Sequence, residues 1–447
     1  MVEESAPFLR LNSFPQMVAM SISPPLLGEI LLPVLVFTQL GLAITLANLL
    51  VKRWLQIGGS FSVSLDSLPD KSLLARFGET LLHCLRRAAL SIPSPCGGKG
   101  TCHQCRVRVL EGGGEVSSLE RSVFSPEEIK DGWRLACQVK LKEEATVSIP
   151  GGALTSSSFS GSVVKNRNVS TFIKELVVVL DEPLDYESGE YLQVDIPNYM
   201  TTTSSWRDGI HLRFHQEWDK YGMLESLIIH ESEEPCVRAY SLASHPGEGN
   251  AIRFTIRIAS PPLENGSISS AAPWGIGSSF LFSRREGDRL SFSGPFGESK
   301  MIHDERRIYF LIGGAGASFG RSHIMSLFHL HHTKRHVELW YGARSLCENI
   351  YAEEFQALEK QFKNFRYHLV LSEPTEEDVR SGWPIQDSEK TGFLFQAFEA
   401  SVLSSLKSPS EALYYVCGPP LHNQAVSVLL REYGVPKPSI VLDDFGS

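Results

Sequence analysis

The chain has no excess of positive charge. Its 447 residues carry 42 Lys and Arg against 51 Asp and Glu, a formal charge of −9, with no basic block. Nucleic-acid binding needs a Lys/Arg footprint for the phosphates, so nucleic acid is excluded as a partner. Cysteine is scarce: eight in a chain of this length is too few for the disulfide scaffold of a small secreted protein. Glycine (36) and proline (25) are ordinary, and 42% of residues are hydrophobic, which excludes a collagen-like repeat and a disordered chain. Long apolar runs are almost missing. One exists near the start and none follows it, so a polytopic membrane protein is excluded, as is an ion pathway built by this chain alone. What is left is a multidomain globular chain of about three domains.

The single run extends from Ile30 to Val51, 22 residues without a charge, with only Thr38, Gln39, Thr45 and Asn48 as polar members. As a helix it measures about 33 Å, against roughly 30 Å for the hydrocarbon core of a bilayer. A cleaved signal peptide needs a basic leader, and the 29 residues before Ile30 hold Arg10 as their single base. Residues 1–55 are therefore expected to be a retained single-pass anchor, with its transmembrane helix at 30–51. Lys52 and Arg53 close the run, with Lys71, Arg76, Arg86 and Arg87 beyond. That bias puts the bulk of the chain on the cytoplasmic side of a cell inner membrane.

Cysteines then cluster. PCGGKGTCHQCRVRV followed by WRLACQV sets Cys96, Cys102, Cys105 and Cys137 at C-x5-C-x2-C-x31-C. Gly97, Gly98, Gly100 and Thr101 fill the first interval, a composition that lets backbone N–H groups close on an inorganic cluster. A plant-type 2Fe–2S loop has C-x4-C-x2-C and a distant fourth cysteine; this loop is one residue longer. A four-cysteine zinc site favours two short knuckles, and only one is present. The flanks suit a β-grasp ferredoxin over 56–150: two strands in 60–76 with a turn at Leu68–Asp70, a helix from Glu79 to Leu90, and a strand from Arg106. Cys84 is read as a core residue of that helix.

From about Gly161 the chain alternates as strands with Gly/Pro turns, predicting an antiparallel barrel over 155–300, interrupted by a polar and aromatic insertion at 199–234. RAYS (Arg238 to Ser241), GIGSS (Gly275 to Ser279) and GPFG (Gly294 to Gly297) fall inside it in that order. GIGSS opens a helix, where backbone N–H groups and hydroxyls suit a phosphate. After Arg306 the rhythm turns to strand and helix in alternation, predicting an α/β parallel sheet over 301–447. Its first strand runs into GGAG (Gly313, Gly314, Ala315, Gly316) ahead of a helix from about Ser318. YGAR (Gly342, Arg344) and CGPP (Cys417, Gly418, Pro419) end later strands. The C-terminal edge of such a sheet is where ligands bind.

The anchor, the four cysteines, RAYS, GPFG, GGAG, YGAR, CGPP and a terminal LDDFG follow one order over nearly the whole chain. In this the sequence resembles the F-subunit family of Na+-translocating NADH:quinone oxidoreductases, membrane-tethered members of the ferredoxin–NADP+ reductase superfamily. The resemblance implies an electron-input role: NADH to FAD to a 2Fe–2S cluster, and on to quinone through other integral-membrane subunits. It implies that Cys96, Cys102, Cys105 and Cys137 hold the cluster and that Arg238 pairs with the FAD pyrophosphate. Tyr240 would pack on the isoalloxazine and Ser241 bond its reactive nitrogen, with Gly275, Gly277 and Ser278 at the FAD phosphates and Phe445 over the other flavin face. Gly313, Gly314, Ala315 and Gly316 would cradle NADH together with Gly342, Gly418 and Pro419, Arg344 lying near its adenosine ribose and Cys417 near the nicotinamide. Ser241 and Cys417 are thus the catalytic candidates. One departure stands out: Phe319 occupies the position where the family has Pro after GGAG, which is expected to alter nicotinamide docking.

Two rivals share parts of this pattern. A reductase serving a soluble oxygenase has the same order of domains but needs no anchor, and a membrane-tethered zinc-binding module needs the cysteines but no flavin. His329, His331, His332 and His336, mixed with Lys334 and Arg335, read as a solvated helix end rather than a metal site. Cys236 and Cys347 read as ordinary packed or partly exposed thiols.

Overall fold

Residues 24–56, 60–66, 68–150, 157–231, 236–269 and 271–444 are described by a computed structural model. The chain forms two compact units, Met1–Ser60 and Phe61–Ser447.

In the first unit the uncharged run becomes part of one helix, α1 (Pro24–Gln56). Its span Leu32–Val51, 20 residues of mean hydropathy 2.1, is long and apolar enough to cross a membrane, and none of its residues is buried. The hydroxyls inside it are satisfied by the helix itself: Thr38 Oγ1 donates to Val34 O (2.6 Å) and Thr45 Oγ1 to Gly41 O (2.7 Å). A hydrocarbon environment demands such internal pairing.

The second unit begins with β1 (Phe61–Leu65), β2 (Leu68–Ala75), β3 (Arg106–Glu111), β4 (Trp133–Leu135) and β5 (Ala145–Ser148). They form one sheet in the order β2-β1-β5-β3-β4. The turn expected at Leu68–Asp70 lies earlier, because Leu65 already pairs with Leu68. Pro69 fits within β2 because β2 is an edge strand, where a missing N–H breaks no ladder. Helix α2 (Leu81–Arg87), capped by Thr80, buries Leu81, Leu82, Cys84 and Leu85 against the sheet. Two short helices, α3 (Ser118–Val123) and α4 (Pro126–Lys130), each open on a capping box, Ser117/Glu120 and Ser125/Glu128. Glu120 is fully buried. Burial alone would raise its pKa, but bonds from Arg134 Nε (2.9 Å) and the Leu135 N–H (3.0 Å) hold it below the ordinary value.

Ten strands follow: β6 (Ser157–Ser170), β7 (Ile173–Leu180), β8 (Tyr191–Ile196), β9 (Tyr199–Thr202), β10 (Leu227–His230), β11 (Cys236–Ser241), β12 (Ala251–Arg257), β13 (Leu263–Glu264), β14 (Ser267–Ile268) and β15 (Arg289–Phe296). Six of them make an antiparallel sheet in the order β11-β8-β15-β6-β7-β12. Ala243 N donates to Arg253 O (2.7 Å) just beyond β11, drawing the two edge strands together as a barrel. The expected insertion holds the β9–β10 hairpin and α5 (His215–Lys220). Its Trp206 and Trp218 are buried in the barrel core with Phe282, the last residue of α6 (Ile276–Phe282), and Trp218 Nε1 donates to Thr171 O (2.7 Å).

The remaining strands, β16 (Ile308–Gly313), β17 (Val337–Ala343), β18 (Phe365–Leu371), β19 (Leu413–Cys417) and β20 (Ile440–Asp443), are all parallel, in the order β18-β17-β16-β19-β20. Helices α7 (Ala317–His329), α8 (Ala352–Gln361), α9 (Glu376–Arg380), α10 (Leu394–Phe398) and α11 (Pro420–Glu432) accompany them. Ile308, Phe310 and Ile312 face one core, and Tyr309 and Leu311 the other. Burial on both faces is why these strands read as continuous apolar runs.

Three consecutive residues of α7 fasten this domain to the barrel. Arg321 reaches Ala243 O (2.8 Å) and Glu248 (2.6 Å) on the barrel side and Glu354 of α8 (2.7 Å) on its own. Ser322 Oγ donates to Ser244 O (2.8 Å), and a ring nitrogen of His323 meets Ser299 O (3.1 Å).

Candidate functional site

The cluster loop comes first. Cys96, Cys105 and Cys137 are buried and Cys102 is partly exposed. The sulfurs fall into two pairs: Cys102 Sγ lies 3.2 Å from Cys96 Sγ, and Cys105 is coupled to Cys137. Each pair is coupled, which lowers Cys96 and Cys137 and raises their partners. Two pairs are what two irons require, whereas one zinc needs a single tetrahedral set. Among the described residues no three His, Cys, Asp or Glu side chains converge for a single ion. Gly97, Gly98 and Gly100 all have positive φ (68°, 93° and 84°). A Cβ on Gly97 would sit 1.9 Å from Arg238 Nη1 and 2.8 Å from Val237 O, so the loop lies directly against the RAYS strand.

Around RAYS, residues distant in sequence meet. A Cβ on Gly277 would come within 2.7 Å of Arg238 Cγ and 2.9 Å of Tyr240 Oη, which places the start of α6 against both side chains. Gly275 is equally confined, 2.5 Å from Ala259 Cβ by the same measure. Ser278 Oγ accepts from Ala259 N (3.1 Å) and donates to Gly275 O (3.1 Å), fixing the GIGSS turn. Arg238 spends Nη1 on Val237 O and Cys236 Sγ (2.7 Å each), and among the described residues no carboxylate pairs with it. A guanidinium left without an anion at a glycine-lined turn suits a pyrophosphate.

The third component is the C-terminal edge of the parallel sheet. Gly313 is in register with Gly342, Ile312 with Cys417, and Cys417 with Asp443. The chain runs from β16 to β17 on one side and returns as β19 on the other, so the edges of β16 and β19 form a topological switch point. GGAG and CGPP meet there. A Cβ on Gly316 would lie 2.4 Å from Cys417 O and 3.0 Å from its Sγ, and one on Gly418 would lie 2.6 Å from the His422 ring. Gly313 comes close to Pro419, and Gly314 takes φ 55°, with open space where a side chain would be. Ser318 Oγ caps the turn at Ala315 O (3.0 Å). The Cys417 thiol is fully buried, and burial pushes it well above its usual pKa, so it is neutral.

Not every expected residue joins this row. Phe445 lies outside the described residues. Arg344 is exposed, paired with Glu348 (3.2 Å) and over the Phe172 ring (5.8 Å). Phe319 needs a correction: its side chain is fully buried against His323 (4.4 Å between rings) and Tyr415 in the domain core, and does not reach the ligand edge. The backbone of GGAG turns toward the edge, while the side chain one helical turn later points to the sheet. Asp443 lies within the terminal LDDFG but receives no role from the sequence, yet its Oδ2 accepts from Ser241 Oγ (3.1 Å). The signal that could have found it is an acidic residue ending the last strand of the ligand edge. The bland readings agree with the structure: Cys84 is buried, Cys236 packs on Arg238 and Cys347 is exposed.

Comparison with known proteins agrees with this layout. Residues 70–142 match the model of a 2Fe-2S iron-sulfur cluster binding domain, and residues 310–427 that of an oxidoreductase NAD-binding domain. The solved structure of the Amycolatopsis cytochrome P450 reductase GcoB shares the fold, with a TM-score of 0.57 and 21% identity over 86% of this chain and 98% of that one. Fold and site therefore define an oxidoreductase that joins a 2Fe–2S ferredoxin domain to a flavin barrel and an NAD-binding sheet. The chain is 50% identical over 375 residues to the F subunit of the Na(+)-translocating NADH-quinone reductase of Chlamydia pneumoniae, covering 83% of this chain and 87% of that protein. With the F subunit from Neisseria gonorrhoeae it shares 36% over 421 residues, 94% of this chain and all of that one. It belongs to the F-subunit family of Na(+)-translocating NADH-quinone reductases.

Proposed function

We propose that this chain is the electron-input subunit of a membrane-bound, Na+-translocating NADH:quinone oxidoreductase complex. It takes a hydride from NADH and delivers single electrons toward quinone through integral-membrane partner subunits. FAD links these steps because it accepts two electrons at once and releases them singly, as a 2Fe–2S cluster requires. One observation carries the reading: three ligand-ready elements abut in a row. The cluster loop touches the RAYS strand at Gly97 and Arg238, and the same strand ends at Ser241, bonded to Asp443 beside Cys417.

The residues divide the work accordingly. Cys96, Cys102, Cys105 and Cys137 would hold the 2Fe–2S cluster, which supplies a one-electron acceptor. Arg238, with the turn at Gly275, Gly277 and Ser278, binds the FAD pyrophosphate, while Tyr240 and Ser241 line the flavin ring. Gly313, Gly314, Ala315 and Gly316, facing Gly342, Cys417, Gly418 and Pro419, let backbone N–H groups approach the NADH pyrophosphate. Arg344 stands at the outer end for the adenosine ribose. Cys417 and Gly316 pack closely, so the nicotinamide would meet a dry wall at this end of the edge. Helix α1 tethers the chain to the cell inner membrane with its bulk in the cytoplasm, and this weighs against a soluble oxygenase reductase. One spanning helix offers no ion path, so Na+ transport falls to the partners.

Full-length protein purified in detergent tests this. Its visible spectrum should contain both flavin and 2Fe–2S bands, and anaerobic NADH should bleach the flavin faster than NADPH does. A colourless protein, or a preference for NADPH, would sink the assignment.

A further inference from the structure

Strand β8 holds two buried polar side chains that the chemistry above leaves unused, Tyr191 (5% exposed) and Gln193 (1% exposed). Two positions apart on a strand, they share one face. A buried amide or phenol must find partners, and both find them in the cluster domain. Gln193 Oε1 accepts from Ser94 N and Ser94 Oγ (2.9 Å each), and its Nε2 donates to Ile92 O (3.2 Å). Ser94 O in turn accepts from Gly97 N (2.8 Å), so Gln193 grips the arm that enters Cys96. Tyr191 Oη donates to Gln104 Oε1 (2.8 Å), the residue before Cys105. Both arms of the cluster loop are thus held from a single strand.

The backbone of that strand is the direct neighbour of the flavin motif. Tyr191 pairs with Ser241, Leu192 with Tyr240, Gln193 with Ala239 and Val194 with Arg238. Between Leu90 and Arg106 the cluster loop contains no helix or strand; its own domain holds it by Arg86 Nη2 on Ser94 Oγ (2.7 Å) and Ala136 N on Cys105 O (2.8 Å), and β8 supplies the ties toward the flavin strand.

We infer that Tyr191 and Gln193 are positioning residues for electron transfer, fixing the separation between the FAD strand and the cluster loop. The inference rests on the series reading above, NADH to FAD to cluster. Each crossing moves one electron and makes or breaks no bond. Two crossings discharge one hydride equivalent, and the electrons leave the cluster for the membrane partner. Tunnelling rates fall steeply with distance, so a slack loop slows the crossing while leaving hydride transfer alone.

The test uses the full-length protein with both cofactors, comparing wild type, Tyr191→Phe and Gln193→Leu after anaerobic mixing with NADH. Stopped-flow absorbance follows the flavin and freeze-quench EPR follows the reduced cluster. Flavin bleaching and the cluster potential should match wild type in both variants. The cluster signal should appear at least tenfold more slowly in Gln193→Leu and severalfold more slowly in Tyr191→Phe. An unchanged rate overturns the inference, as does a slow rate that a shifted potential accounts for. Should Gln193→Leu fail to load its cluster, Tyr191→Phe, which loses one hydroxyl, decides alone by the same criteria. A wild-type cluster that NADH never reduces overturns the series reading itself, and this shows before any variant is compared.

Discussion

Ser241 Oγ donates to Asp443 Oδ2 over 3.1 Å, tying the flavin strand to the last strand of the nucleotide sheet across 202 positions of sequence. Burial raises the Asp443 carboxyl to about 7; the Ser241 bond pulls it back and the neighbouring Asp444 charge adds to the rise. The folded state therefore keeps a proton that the unfolded chain releases near pH 4, and stability falls as pH rises between those values. Asp443→Asn should remove that fall, so its melting advantage over wild type grows from pH 5 to pH 8. In the same variant the rate of flavin reduction by NADH should lose the inflection near pH 7 that wild type shows. A wild-type profile flat across pH 6–8 would contradict this.

Phe319 is a core residue, so Phe319→Pro should act on stability more than on NADH. Emptying a buried phenylalanine site costs about 3–5 kcal/mol, while Pro is tolerated in the first turn of a helix. A large drop in melting temperature with less than a threefold change in KM for NADH is expected. The reverse pattern would place the side chain at the nicotinamide after all.

Arg321 answers the Glu248 carboxylate and the Ala243 carbonyl across the interface between barrel and nucleotide domain, and the Glu354 carboxylate on its own side. Arg321→Met leaves Glu354 without its cation and Glu248 with Arg253 alone (2.9 Å); with both carboxylates partly solvated, the loss should stay below the about 3–5 kcal/mol of a fully buried pair. Because α7 begins at GGAG, hydride transfer at saturating NADH should slow as well. Adding Glu248→Gln should recover part of the stability. No recovery would mean that the arginine acts by packing rather than charge.

Lys174 is buried in the barrel, its Nζ 3.2 Å from Phe282 O, and burial lowers its pKa from 10.5 to about 8. That shift corresponds to about 3 kcal/mol, of which the lost hydrogen bond returns about 1. The sign follows from the depressed value: below pH 8 both states are protonated and the cost of burying the charge is complete. Between 8 and 10.5 the unfolded chain alone holds the proton, so wild-type stability rises. Lys174→Met should raise the melting temperature at pH 7 and lose the gain toward pH 10.5. A constant gain across this range would rule out titration as its source.

What could be read in the sequence was local. Cys96, Cys102 and Cys105 announce a cluster because ligands and glycines crowd one short loop, and the anchor and parallel strands follow from composition and period. The turn at Leu68–Asp70 was misplaced because Leu-Pro-Asp looks like a turn unless the strand is known to be an edge. The roles of Asp443 and Gln193 were invisible for a different reason. Their importance depends on register, Asp443 beside Cys417 and Gln193 opposite Ala239, and register between distant strands leaves no trace in spacing. Phe319 misled because proximity to GGAG in sequence is not proximity to its ligand face.

Cys105→Ser tests the series path most directly, since a hydroxyl is a poor substitute for a thiolate at iron. The variant should lose its 2Fe–2S signal and keep FAD. It should oxidise NADH with ferricyanide, which draws electrons from the flavin, at close to the wild-type rate. Quinone reduction in the reassembled membrane complex should collapse. Quinone reduction that persists without the cluster would contradict the account, because electrons would then be leaving from the flavin.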